Sequence, residues 1–420
     1  MSKLTDLTAE LSSYKTIGIF GYGVEGRSFH TFAKKYLPNT EIIIIDQNYS
    51  KKENYLDDLN NVELVIKSPG ISLHTLGIAY DAYNFSSITE LFIKHFGSQI
   101  VGVTGTKGKS TLVTLIDALL KNAGKKSLLC GNIGLSPLEI IEEIDAETTV
   151  VMELSSHQLH HMNYSPHIAI LTNLFAEHLD YYASEAEYYR AKFNIFVKQK
   201  KSDIFIYNLA DREAFFSESL IKADEAYNVY ANKLQYSWEF DIKQGYIHHA
   251  TLQILEALQK VLHIGIDAYK KTLHEFKSLP HRLEFISEVD GVSYINDSIA
   301  TIPEATMEAV KILKDVDTII IGGYDRGIEY QGFISFLVAS EIENIICFSD
   351  TGKQIYERIE KFKGTKTLCY MENLSQSLKK AKEVAKKIVL FSPAASSFNE
   401  YKNFIERGEH FRELVDNLKG

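Results

Sequence analysis

The 420 residues hold 45 lysines and arginines against 55 aspartates and glutamates, a formal net charge of −10, which excludes nucleic acid or an anionic membrane as the main partner while leaving local basic loops free to meet anionic substrates. A composition 45% hydrophobic and 24% charged is that of an ordinary soluble globular chain, long enough for two to three domains with separate cores. Three scattered cysteines, Cys130, Cys347 and Cys369, exclude a zinc cluster and indicate a reducing compartment; with neither a signal peptide nor an apolar run of ~20 residues, a cytoplasmic protein without membrane insertion is expected.

The chain opens with a β-α-β pattern. Thr16–Phe20 reads as a strand, Gly21-Tyr-Gly-Val-Glu-Gly26 as a tight turn, residues 27–36 as a helix, and Glu41–Ile45 as a second strand ending at Asp46. Gly21, Gly23 and Gly26, with Val24 and Glu25 between them and an acid twenty positions on, make a complete G-x-G-x-x-G fingerprint. Backbone amides at a helix start suit any pyrophosphate, so a NAD site and a UDP-sugar site both remain open here. A third strand, Val62–Ile66, runs into Ser68-Pro69-Gly70, a loop able to face the same ligand, and the block closes with Ile88-Thr-Glu-Leu-Phe92.

A second α/β block begins at Val101, where an apolar run enters Thr104-Gly-Thr-Lys-Gly-Lys-Ser-Thr111 and continues into Leu112–Leu120 with apolar residues at helical spacing. Strand, phosphate-sized loop and helix occur in the order a P-loop requires. Glycine at 105 and 108 lets backbone N–H groups close on phosphate oxygens at the positive end of the helix dipole. Lys109 then meets the β and γ phosphates, and the Ser110 hydroxyl ligates Mg²⁺. The strict pattern asks for glycine where Val103 stands, so the match is to the shorter T-G-T-x-G-K-S form. Cys130-Gly-Asn-Ile-Gly-Leu135 follows the next strand, and Thr148–Glu153 is a strand ending in a carboxylate. A further strand, His167–Asn173, leads to Phe175-Ala-Glu-His-Leu-Asp-Tyr-Tyr182. Glu153 and His178, at the ends of neighbouring strands beside a P-loop, form a candidate Mg²⁺ and phosphate site. A third block starts at the turn-like Leu279-Pro-His-Arg282, with Asp317–Ile321, Gly322-Gly323, Asn344–Phe348 and Lys387–Phe391 reading as parallel strands of a doubly wound sheet.

The combination resembles the Mur ligase family. The motifs that carry the resemblance are Gly21–Gly26, Ser68–Gly70, Thr104–Thr111, Gly131-Asn-Ile-Gly134, Glu153-Leu-Ser-Ser156, Glu177-His-Leu-Asp180, Tyr189-Arg-Ala-Lys192, Leu279–Glu284, Asn296-Asp-Ser298, Gly322-Gly323, Ser392–Phe398 and Lys402-Asn-Phe404. They span nearly the whole chain in the family's order. The resemblance implies an α/β, three-domain, monomeric enzyme: a Rossmann-like N-terminal domain over 1–97 for a UDP-sugar, a P-loop ATPase central domain over 98–278, and a doubly wound, Rossmann-like C-terminal domain over 279–420 for an amino acid. It implies an ADP-forming ligase of peptidoglycan precursor synthesis, which activates the carboxylate of UDP-N-acetylmuramoyl-L-alanine as an acyl phosphate and joins it to glutamate, with D-glutamate favoured.

Residue by residue, the resemblance assigns ATP to Gly105, Thr106, Lys107, Gly108, Lys109, Ser110 and Thr111, with Arg282 and Asp297 from the third block. It assigns the UDP-sugar to Gly21, Gly23, Val24, Glu25, Gly26, Asp46, Ser68, Pro69, Gly70 and Asn132. Metal falls to Ser110, Glu153, His178 and Lys192, the last as a carbamate, and catalysis to Lys109, Glu153, His178 and Lys192. Glutamate falls to Thr301, Arg326, Ser397, Phe398 and Phe404. A carbamate forms when CO₂ adds to an unprotonated amine, turning a cation into a carboxylate-like anion.

Three positions depart from the family pattern. Ile299 stands in Asp297-Ser-Ile-Ala-Thr301 where a lysine is expected, and Arg326 stands for another lysine. The adenine-holding H-N-x-x-N signature is reduced to His248-His-Ala-Thr-Leu252. The first two bear on which amino acid is taken, the third on adenine. A folylpolyglutamate-type ligase shares the ATP core but does not need the Gly21–Gly26 block, a dehydrogenase makes no use of Lys109, and a P-loop switch leaves Ser392–Phe404 unexplained.

Overall fold

The computed structural model describes residues 2–50, 54–174, 181–207, the backbone of 225–228, 241–362, 364–398 and 400–419. They form two compact units, Met1–Ser237 with His248–His274, and Trp238–Ile247 with Glu275–Gly420.

The first unit carries two parallel sheets. One has the order β2-β1-β3-β4, from β1 (Thr16–Phe20), β2 (Glu41–Ile45), β3 (Leu64–Lys67) and β4 (Phe85–Ser86). The other has the order β10-β9-β8-β5-β7-β6, from β5 (Ile100–Thr104), β6 (Ser127–Gly131), β7 (Thr149–Glu153), β8 (Ile168–Leu171), β9 (Ile204–Tyr207) and β10 (Glu225–Asn228). The continuous apolar runs noted in the sequence are what strands buried on both faces require. β5 is buried throughout and lies between β7 and β8. After β5 the chain goes to one side for β6 and β7 and then crosses to the other for β8, so the end of β5 is the switch point where an open α/β sheet presents its ligand crevice. The helix Lys109–Asn122 leaves that point and buries Leu112, Val113, Leu115, Ile116, Leu119 and Leu120, a stripe wide enough to seat it firmly on the sheet.

The second unit holds one sheet of order β11-β12-β16-β13-β14-β15, from β11 (Glu284–Val289), β12 (Val292–Asn296), β13 (Thr318–Gly322), β14 (Asn344–Phe348), β15 (Thr367–Met371) and β16 (Ile388–Phe391). All its pairs are parallel except β11 with β12. This hairpin departs from the purely parallel sheet that the sequence suggests. Its turn is Asp290-Gly291, both with positive φ, +53° and +80°, the two-residue connection whose twist matches that of the flanking strands.

The adjacency of β13 and β16 is fixed by one buried carboxylate. Asp317, just before β13, accepts from the backbone amides of Lys387 at 2.9 Å and Ile388 at 2.7 Å on Oδ1, and of Lys386 at 2.8 Å on Oδ2. Those amides open β16, so the clamp sets the register from which the loops at the far strand ends emerge. Asp317→Ala is expected to lower the unfolding free energy by about 1.5–3 kcal/mol, the worth of hydrogen bonds to a charged group, read from the urea-denaturation midpoint. A shift below about 0.5 kcal/mol, the range of an uninvolved surface site, would remove the clamp from the account.

Candidate functional site

At the end of β5 the chain turns through Gly105, whose φ is +143° and where an added Cβ would lie 1.9 Å from Thr172 Oγ1. No side chain fits there. Gly108, at φ +81°, caps the helix Lys109–Asn122, whose first amides have no acceptor within the helix and aim out of its positive end. Neighbouring elements hold the loop. The amides of Thr106 and Lys107 donate to the carbonyl and side-chain oxygen of Asn173 at 2.9 and 2.8 Å, and Thr172 Oγ1 donates to the Lys107 carbonyl at 2.7 Å. Lys109 Nζ donates to the carbonyls of Gly105 and Thr106 at 3.0 and 3.1 Å, and Lys192 Nζ donates to the same Gly105 carbonyl at 2.8 Å. Lys192 is buried and lies 4.9 Å over the Tyr188 ring. Thus Lys109 and Lys192, 83 positions apart in sequence, meet on one carbonyl.

Beside the loop, Val103 of β5 pairs with Glu153 of β7. Glu153 is 1% exposed; its Oε1 accepts from Asn132 Nδ2 at 2.8 Å, and its buried Oε2 has no partner among the described residues. An unpartnered carboxylate oxygen is costly to bury and suits a hard cation. Among the described residues no cluster of three or more histidines, cysteines or carboxylates stands ready for a metal. His178 and the Glu177–Asp180 motif lie outside the described residues.

The Gly21–Gly26 turn is equally braced. Ser68 Oγ donates to the Gly21 carbonyl at 2.6 Å, and Asp46 accepts the amides of Tyr22 at 2.7 Å and Asn48 at 2.9 Å. Asp46 therefore supports the turn from the end of β2. Gly26 is obligatory, since a Cβ there would come 2.3 Å from the Gly21 carbonyl oxygen. Gly23, Val24 and Gly70 are exposed, with Pro69 half-buried. Glu25 turns inward: Gln158 donates to its Oε1 at 2.9 Å, and its buried Oε2 has no partner among the described residues. Burial raises its pKa, opposed by Gln158 and the charge of Lys67. Lys67, at the end of β3, is buried and donates to the carbonyls of Ser68 at 3.2 Å and Ile71 at 3.0 Å. Burial pulls it down to about 8, with Glu25 working the other way. Tyr181 from the second sheet's segment donates to the Pro69 and Ile71 carbonyls at 2.9 Å. Lys67, Tyr181 and Asn173 were not singled out from sequence; the usable signals were a lysine ending an apolar strand and a Thr-Asn pair ending another.

In the second unit the loops after β12, β16 and β13 leave adjacent strand ends. Asp297 and Ser397 are buried, Thr301 and Phe404 half-buried, Arg326 exposed, and Phe398 64% exposed. Asp297 accepts the Leu283 amide at 3.2 Å and the Ser392 hydroxyl at 2.8 Å. Burial pushes its pKa up to about 7, against these bonds and the charge of Arg282. Ser298 Oγ donates to the Phe404 carbonyl at 2.8 Å. Arg407, absent from the sequence reading, is fully buried behind these loops.

With this geometry in view, the family described as Mur ligase middle domain matches residues 103–263, and that described as Mur ligase, glutamate ligase domain, matches residues 281–395. UDP-N-acetylmuramoylalanine–D-glutamate ligase of Clostridium perfringens (strain 13 / Type A) is 32% identical over 404 residues, 90% of this chain and 88% of that protein. Among solved structures, MurF ligase from Thermotoga maritima in complex with ADP aligns over 96% of this chain and 94% of its own, with TM-score 0.60 and 17% identity. A bifunctional folylpolyglutamate synthase/dihydrofolate synthase from Yersinia pestis CO92 aligns over 78% of this chain and 93% of its own, with TM-score 0.53 and 14% identity.

The raised pKa of Asp297 sets a pH dependence. Between its unfolded value near 3.8 and about 7, the folded protein holds a proton that the unfolded chain releases, so stability falls as pH rises through that window and the penalty is full above it. Asp297→Asn cannot ionise. The drop in urea-unfolding free energy from pH 5 to pH 8 is expected to shrink in the variant by on the order of 1 kcal/mol or more; equal drops would mean that Asp297 ionises in the fold without cost.

Proposed function

Because the chain belongs to the Mur ligase family, we propose that it is the ADP-forming ligase that adds D-glutamate to UDP-N-acetylmuramoyl-L-alanine, an enzyme of peptidoglycan precursor synthesis. The observation that carries this reading is a braced G-x-G-x-x-G turn on one sheet and a braced P-loop on the next, in one chain. A folylpolyglutamate-type ligase has no use for the first of these. We assign one domain to each sheet, 1–97, 98–278 and 279–420, acting as a monomer in the cytoplasm. Among the described residues no helix is long and apolar enough to cross a membrane.

A carboxylate is a poor electrophile, and the reaction must first give it a leaving group. In the proposed mechanism the amides that open the helix Lys109–Asn122, with Gly105, Thr106, Lys107, Gly108, Ser110 and Thr111 shaping the loop, hold the ATP phosphates. Lys109 leaves the Gly105 and Thr106 carbonyls to meet the transferring phosphoryl group. The substrate carboxylate takes the γ-phosphate, the amine of glutamate attacks the acyl phosphate, and phosphate departs as the amide forms. Charge grows on oxygen in both steps, so fixed donors set in advance lower the barrier. Mg²⁺, when bound, neutralises phosphate charge; Ser110 and Glu153 would hold it, Glu153 through its unpartnered oxygen, with His178 as the assigned ligand of a second ion. For Lys192 the proposal is a carbamate, which keeps one N–H for the Gly105 carbonyl and adds two anionic oxygens where described metal ligands are few. Asn132 orients Glu153 and is assigned to the UDP-sugar together with Gly21–Gly26, Asp46 and Ser68–Gly70. Arg282 and Asp297 keep their assignment to ATP; Thr301, Arg326, Ser397, Phe398 and Phe404 keep theirs to glutamate.

Phosphate release is expected only when ATP, UDP-N-acetylmuramoyl-L-alanine and D-glutamate are present together, and L-glutamate is expected to be the poorer substrate. Release without glutamate, or with folate in place of the UDP-sugar, would overturn the assignment. Lys109→Ala is expected to lower turnover by about a hundredfold or more, the scale of one lost donor at a developing charge, while calorimetry still detects binding of the UDP-substrate. Lys192→Ala is expected to be inactive and partly restored by formate or acetate, which mimic the carbamate; restoration by methylamine instead would make Lys192 an ammonium prop of the loop.

A further inference from the structure

The side chain of Arg407 is fully buried, yet among the described residues its bonds go to neutral acceptors. Its Nε donates to Ser298 Oγ at 3.1 Å, Nη2 to the Ser298 carbonyl at 2.8 Å and Nη1 to the Ala395 carbonyl at 2.9 Å. It also lies in the first turn of the helix Phe404–Asp416, where the helix dipole disfavours a cation. Burial draws its pKa down to about 10, with Tyr401 and Glu400 opposing, so it is a cation at neutral pH. Burying a charge with no carboxylate bonded to it, Glu400 acting only through space, is among the more expensive choices a fold makes, and an apolar residue of like volume would serve stability as well or better. A guanidinium kept in such a place points to a role besides stability.

The segments it touches are the ones assigned to the amino acid. Ser298 and Ala395 belong to the loops after β12 and β16, and Ser298 passes the contact on to the Phe404 carbonyl. A Cβ added at Gly323, on the loop after β13, would lie 3.1 Å from Arg407 Nη1, so that loop rests on the guanidinium too. Every segment assigned to glutamate meets this one side chain or its direct partner. Next to Ser298 stands Ile299, so the Asp297–Thr301 loop carries no cation of its own.

We infer that Arg407 is the positioning residue of the amino-acid site, tying its loops together and supplying from beneath them the positive field for a substrate carboxylate that Ile299 does not. The inference rests on the reading that the second unit takes glutamate. Arg407 is sealed from solvent and does not touch the substrate; it acts through the backbone of residues 298, 323 and 395.

The test compares Michaelis constants for the three substrates in the whole protein. Arg407→Lys keeps the charge and loses the planar fork; Arg407→Gln loses the charge. Glutamate KM is expected to rise about tenfold in Arg407→Lys and about a hundredfold in Arg407→Gln, while KM for ATP and for the UDP-substrate stays within about twofold, the split that marks loss of uniform binding of one substrate. If Arg407→Gln fails to fold, Ser298→Ala, which removes the hydroxyl between Nε and Phe404, is expected to raise glutamate KM by about threefold to tenfold with the other two constants unchanged. Variants that lose thermal stability while all three constants move together, or not at all, would overturn the inference. A wild-type protein without glutamate-dependent phosphate release would overturn the functional reading instead, before any variant is made.

Discussion

The carbonyl of Gly105 is where the first unit comes together. It receives the ammonium groups of Lys109 at 3.0 Å and Lys192 at 2.8 Å, while the Cα behind it lies against Thr172. A phosphate loop must gather several peptide dipoles at one point, and those dipoles repel one another until an anion arrives. The loop can be held open only by bonds made elsewhere. Here the strand end at Thr172 and Asn173 takes two of its amides and one carbonyl, and the helix Glu185–Val197 presents Tyr188 and Lys192 from the other side. What remains free to meet a ligand is the positive end of one helix, already aimed.

The same economy governs the second unit, where the polar groups are buried instead of arrayed at a helix end. Asp317 lines up β13 with β16, Asp297 ties the start of β11 to Ser392, and Arg407 joins the loops between them. Each is an ionisable group buried from solvent, and each is bonded to backbone donors or acceptors that only this topology brings within reach. Removing such a group leaves several orphaned partners at once.

What could be read from sequence was what is local. Glycine spacing gave both phosphate turns, and apolar runs gave most strands to within a residue or two: Thr16–Phe20, Glu41–Ile45 and Asn344–Phe348 match fully. The strand Glu284–Val289 escaped because its residues alternate weakly, although the Asp290-Gly291 pair that folds it back was in plain view. Asn173, Tyr181 and Arg407 escaped for another reason. Their roles are made by partners at sequence distances of 66, 112 and 109 residues, and no short pattern encodes a partner that arrives from another element. Resemblance supplied part of what pattern could not, as with Lys192, whose meeting with Gly105 is equally remote in sequence.

Glu25 shows how the fold reconciles a residue with a turn that should reject it. Ionised, this carboxylate would repel the pyrophosphate proposed for the turn at close range in a low-dielectric setting. The structure turns the side chain inward, against Gln158, and burial shifts it toward its neutral form. On the neighbouring strand Lys67 is drawn the opposite way, its ammonium capped by the Ser68 and Ile71 carbonyls. The two groups moderate each other: the lysine's charge limits how far the carboxyl is pushed up, and the carboxyl limits how far the lysine is pulled down. Both stay tied to the Gly21–Gly26 turn and the Ser68–Gly70 loop, so a phosphate seated between those loops would favour the charged lysine and the neutral acid together. The first sheet thus arrives by a different residue pair at the arrangement seen around Arg407: a buried cation held by backbone carbonyls beneath the loops that it braces.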